Sequence, residues 1–169
     1  MRGDTDSVGR TRPPLQAPES VTLIHWLEYH RQTLLWKCQG LSDDELRSAP
    51  IPGSNLSLIG LIRHMTDVEG VWFRDFAGEV PEHGYRTKDR PDASFEDVES
   101  ADISCAFAHW QAECARSQEI VAAAPSLDAT SGHDNYSLRW IITFVIQEYA
   151  RHNGHADLIR QSIDGATGV

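Results

Sequence analysis

An all-α fold, a four-helix bundle, is predicted by three features of the 169-residue sequence. Four long stretches carry apolar residues at helical spacing. No alternating run bounded by hairpin turns reads as a strand. Breaks containing Pro or Gly separate the stretches. A chain of this length fits one domain and buries roughly 70% of its unfolded surface, so it folds without cross-links. That domain is expected over 19–169, behind a disordered lead-in over 1–18 that contains Pro13, Pro14 and Pro18.

The first helix is expected over 19–39, with Gly40 just past its end. Leu23, Leu27, His30, Leu34 and Cys38 share its inner stripe. Ser42 and Glu45 have capping-box spacing and predict a short helical turn, closed by Pro50 and Pro52. The second long helix follows Ser57 as N-cap and runs to about 77–78, with Leu61, His64, Met65, Val68, Val71 and Trp72 inward. Residues 78–94 carry two glycines and two prolines and read as a loop. The third helix is expected over 95–124, ended by Pro125, with Ile103, Phe107, Trp110, Cys114 and Val121 on its stripe. A polar loop through Gly132, His133, Asp134 and Asn135 precedes the fourth helix, which starts after Ser137 and ends near Gly165. Gly154 interrupts its propensity and marks a close helix approach or room near a ligand.

Charge excludes some functions. With 25 acidic and 15 basic residues the formal charge is −10, which opposes nucleic-acid backbones and anionic membrane surfaces. The longest strongly apolar run, 140–146, is far short of a membrane span. Residues 1–20 lack the apolar segment of a signal peptide. Three widely spaced cysteines, Cys38, Cys105 and Cys114, do not form a disulfide framework and point to a reducing cytoplasm. Cys114 reads as a small core residue, and none of the three sits in an activating motif.

The fourth helix carries the chemistry. Ile141, Val145, Glu148, His152, His155 and Ile159 follow steps of four and three, an uninterrupted seam. A buried carboxylate without a partner costs several kcal/mol or goes neutral. A metal ion removes that cost by keeping the carboxylate charged and engaging the imidazole lone pairs. Glu148 and His152, four apart, reach the same ion. His64, on the inner row of the second helix, is the expected third ligand. Three protein ligands leave a position for water or substrate, the pattern of a catalytic site. Structural alternatives stand beside this one. His64 is a hydrogen-bonded core histidine, Glu148 pairs with Arg151 or another arginine, or His155 is the ligand and Glu148 its acceptor. His30 lines the cavity or is a satisfied core residue. His25, His83, His109 and His133 read as surface or loop residues, and Trp26, Trp36, Trp72, Trp110 and Trp140 as core or flank packing.

The run LSLIGLIRH over 56–64, followed by Val68, Glu69, Trp72 and Phe73, resembles the second helix of the DinB-like superfamily. The run EYARHNGHAD over 148–157, then Ile163, Asp164 and Gly165, resembles the last helix of an actinobacterial branch of unknown function. That branch is similar to the metal domain of mycothiol-dependent maleylpyruvate isomerase. The resemblance maps the family's first metal histidine onto His64 and the later ligands onto Glu148 and His152, the glutamate being a feature of the isomerase branch. It implies a four-helix bundle, a divalent metal, often a homodimer, and thiol transfer with a low-molecular-weight thiol. The functional expectation is a metal-dependent S-transferase with zinc (nickel and iron as alternatives) and mycothiol as thiol cosubstrate. A small-molecule electrophile is its other substrate. A water-activating hydrolase and a metal-stabilised interaction bundle are the rival expectations.

Overall fold

The computed structural model describes residues 5–130 and 135–168. Four long helices form the body: α1 (Glu19–Cys38), α3 (Leu58–Glu69), α4 (Ile103–Ala123) and α5 (Leu138–Asp164), with the one-turn α2 (Asp43–Arg47) between the first two. Among the described residues there is no strand, only isolated bridges at Thr5–Thr11 and Thr130–Ser137. The fold class is therefore the expected all-α bundle. Among the described residues no helix is long and apolar enough to cross a membrane. The expected loop residue His133 lies outside the described residues.

The helix ends follow from local chemistry. Ser57, Asp102 and Ser137 cap α3, α4 and α5 by accepting the amide N–H three residues on. Ser42 and Glu45 complete the expected capping box. Gly40 and Gly165 take positive φ just past α1 and α5. α1 packs mainly on α5, and α3 on α4, with a smaller α3–α5 contact. Leu34, Leu61, Met65, Ile142, Val145 and Ile159 are fully buried at the centre.

Three expectations are corrected. The third long helix begins at Ile103, eight residues later than Phe95, because Asp102 caps it there. Asp97 in the left-handed region and a turn of 3-10 helix at Val98–Ser100 turn the chain before that point. Second, residues 5–12 are not a detached lead-in. Asp6 accepts the Arg10 amide and guanidinium, and buried Arg10 donates to Thr33 Oγ1 at 3.0 Å while lying over the Tyr29 and Trp36 rings. Third, Gly154 does not mark a close helix approach, since nothing lies within 4 Å of where its Cβ would stand.

Helicity continues past α3 as a π-helical turn at Gly70–Arg74, which the sequence does not signal. Gly70 is closely approached there. A Cβ would sit 3.2 Å from Pro81 Cβ and 3.3 Å from Glu113 Oε2, the carboxylate that Arg74 Nε engages at 2.6 Å.

At the centre of the bundle Glu69 ends α3, and all four long helices meet on it. Arg31 of α1 donates to both of its oxygens at 2.8 and 2.7 Å. Tyr149 of α5 and Ser117 of α4 donate to one oxygen each, at 2.8 and 2.7 Å. Trp110 Nε1 in turn donates to the Tyr149 hydroxyl. This network fixes the rotation of α5. Tyr149, not Glu148, is the fully buried member of the pair, and Glu148 is carried to the α3–α5 seam.

Candidate metal centre

His64 stands midway along α3, facing Glu148 and His152 on successive turns of α5. The three residues form the one group of metal-capable donors found among the described residues, with all three ligand atoms within 4.8 Å of one another. Glu148 Oε2 is 3.8 Å from His64 Nε2 and 3.6 Å from His152 Nε2. These gaps are too long for hydrogen bonds. They lie near the roughly 3.3 Å that separates two donors bound at 2.0–2.1 Å to one tetrahedral ion. The imidazole centroids are 4.5 Å apart at 61°, so the rings converge instead of stacking.

His64 Nε2 is buried and has no hydrogen-bond partner. Native interiors rarely leave such an atom unsatisfied without a reason. Protonation does not supply one. Burial first, then the neighbouring His64 and His155, push the His152 pKa down to about 3. Burial also lowers His64, against the opposing field of Glu148. Two imidazoles that resist protonation therefore face a carboxylate, and with the ring protons on Nδ1 their Nε2 lone pairs face it as well. A divalent cation satisfies that donor set and a proton does not, so the residues present fit a metal. The side chains keep 22% (His64), 14% (Glu148) and 9% (His152) of their exposure, so the cluster lies at the edge of the core.

The surroundings orient these groups. His155 lies behind His152, with the two Nδ1 atoms 3.3 Å apart. When His152 keeps Nε2 as the lone-pair nitrogen, its Nδ1–H donates to His155, a partner of the kind that fixes a ligating ring. His155 is thus outside the donor group. His30 is also outside it: Asn153 Nδ2 lies 3.3 Å from its Nδ1 and donates to its carbonyl at 3.1 Å. Among the described residues no arginine pairs with Glu148, and Arg151 is exposed.

Sequence reasoning missed the wall of the site. Phe95 packs on the His64 ring with centroids 5.4 Å apart. It fits there because residue 60 is glycine, where a Cβ would lie 2.8 Å from Phe95 Cδ1. One turn beyond His64, buried Asp67 accepts the Tyr85 amide at 2.7 Å and the Ser94 hydroxyl at 2.5 Å, pinning the 83–94 loop against α3. A glycine inside the apolar helical run next to His64 was the available signal. The most apolar cavity, about 280 Å³ between α1 and α4 above Arg31, is lined by none of the three donors. Convergent donors, not hollow volume, identify this site.

Residues 22–165 match the family model described as mycothiol-S-transferase, and no curated protein matches the chain. That match covers most of the sequence, and the chain belongs to the mycothiol-S-transferase family.

Proposed function

We propose that this member of the mycothiol-S-transferase family is a metal-dependent S-transferase whose divalent ion is held by His64, Glu148 and His152. Its cosubstrate is a low-molecular-weight thiol, mycothiol by the family description. Zinc is the preferred ion, and nickel and iron accept the same donors. One observation carries the reading: three donors converge from two helices while His64 Nε2 has no other partner.

A divalent ion there would supply a positive charge that keeps a bound thiol as its thiolate near neutral pH. The chain's own residues do the rest. Depressed basicity keeps His152 neutral and its Nε2 lone pair available. His155 holds the far nitrogen of that ring. Glu148 brings the negative charge, and Phe95 walls the His64 side. The nucleophile does not come from Cys38 or Cys114. Both are buried, and burial pushes Cys38 up to about 12 and Cys114 well above the ordinary thiol range. A small thiol entering from solvent fills that role, which suits a reducing cytoplasm.

The test is conjugation. Metal-loaded protein is incubated with monochlorobimane and, in turn, mycothiol, bacillithiol and glutathione. A carbon–sulfur bond forms as chloride leaves, and fluorescence reports it. Metal-dependent conjugation with one thiol, lost in His152→Ala, is the expected result. No rate above background with any thiol, together with ester or amide cleavage, would replace this reading with the hydrolase.

A further inference from the structure

A second group of reactive side chains, separate from the three donors, lies at the start of α4, and it does not depend on the metal reading. Cys105 is the exposed member of the three free cysteines. It occupies the third position of α4. One turn later His109 places Nε2 3.3 Å from Cys105 Sγ. The other ring nitrogen, Nδ1, is 3.3 Å from the Tyr85 hydroxyl, and the imidazole stacks on His83 at 4.1 Å with the planes 8° apart. When Nδ1–H donates to the Tyr85 oxygen, Nε2 is left as an acceptor facing the thiol.

The helix N-terminus is not what activates this sulfur. Asp102 sits at the cap and takes the Cys105 amide at 2.9 Å and the Ser104 hydroxyl at 2.8 Å, so its negative charge offsets the dipole. The acceptor next to the thiol is His109. Cys105, His109, Tyr85 and Arg63 line one surface depression of about 270 Å³. Arg63 lies over the Tyr85 ring at 4.5 Å and gives its terminal N–H groups to the Ala93 and Glu96 carbonyls. Its Nε is buried, and the carboxylates of Asp97 and Asp102 line the same depression.

We propose that Cys105 and His109 form a thiol–disulfide exchange site for low-molecular-weight disulfides. His109 takes the Cys105 proton. The thiolate attacks one sulfur of the disulfide, a protein–small-thiol disulfide forms as the old S–S bond breaks, and the released thiolate recovers the proton from His109. The disulfide is the oxidant, and a free small thiol reverses the step. Cys38 and Cys114, buried in the core, take no part.

Glutathione disulfide is the probe. The reduced full-length protein is incubated with it near pH 7, and adducts are located by intact mass and peptide mapping. One adduct is expected, on Cys105, formed at least about tenfold faster in the folded protein than in the same protein in denaturant, because only the folded chain holds His109 beside the thiol. His109→Gln removes most of that excess, and Tyr85→Phe, which keeps the ring, removes a smaller part. Bimane conjugation and metal content, read on the same samples, stay unchanged. Labelling absent from Cys105 overturns the proposal. So does a folded-state rate equal to the denatured rate, or full reactivity in a folded His109→Gln protein.

Discussion

Glu69 and Glu148 are both glutamates carried inward by long helices, and they end in opposite circumstances. Glu69 has Arg31 on both oxygens, with Tyr149 and Ser117 completing its shell, so its charge and lone pairs are satisfied within the protein. Glu148 faces two imidazoles at 3.6 and 3.8 Å, neither of them a hydrogen-bonded partner, and one of them ends in an orphaned nitrogen. Glu69 is fully buried, whereas Glu148 keeps some access to solvent. A buried polar group that is complete belongs to the architecture. One that is incomplete at the surface of a core, with donors aimed at a common point, is arranged for something the chain does not contain.

The largest effect is expected at the complete site. Arg31→Met leaves the Glu69 carboxylate buried without its counter-charge and costs about 3–5 kcal/mol, read by urea unfolding. Adding Glu69→Gln to that variant recovers a large part of the loss, and the double-mutant cycle measures the coupling. A loss below about 1 kcal/mol in the single variant would mean that the network does not hold the bundle together.

Next comes the pH response of the incomplete site. In the unfolded chain an imidazole takes its proton near pH 6.5, while folded His152 resists until about 3. Between those values the unfolded state binds the extra proton, so metal-free protein loses stability as pH falls from about 6.5 toward 3. His64, also lowered by burial, adds to the same slope. The acid branch should be shallower in His152→Gln, as measured by thermal melting at a series of pH values. An unchanged branch contradicts the burial of a neutral imidazole.

Gly60→Ala is expected to act more gently. Displacing Phe95 costs about 1–3 kcal/mol, offset by about 1 kcal/mol of helix propensity. The net loss of global stability is therefore about 0–2 kcal/mol, while metal affinity falls because the wall beside His64 shifts. Equal affinity in variant and wild type would show that Phe95 does not position His64.

How much of this was legible beforehand differs between the same two regions. The meeting of His64, Glu148 and His152 was legible because each sits on an apolar stripe where a polar side chain needs a reason, and the structure brings their donor atoms within 4.8 Å of one another. The four long helices were readable from the same periodicity. The Glu69 network was not. Arg31 and Glu69 are distant in sequence and look like ordinary solvated charges, and only the packed helices show them as a pair. Nor was the seam's finer register: Tyr149 outcompetes Glu148 for the centre because Glu69 and Trp110 satisfy its hydroxyl. The late start of α4 escaped because Phe95 looked like the first apolar residue of a helix. Its ring instead fills the space left by Gly60.

Direct stoichiometry tests best whether His64, Glu148 and His152 take a metal. Protein purified without a nickel column and stripped by chelation is titrated with zinc by calorimetry, and bound metal is counted by mass spectrometry after dialysis. Circular dichroism confirms folding of each sample. The expected result is one ion per wild-type chain, lost in His64→Ala and His152→Ala and weakened in Glu148→Gln, with all variants folded. Wild-type protein that binds no ion, or histidine variants that bind as well as wild type, would contradict it.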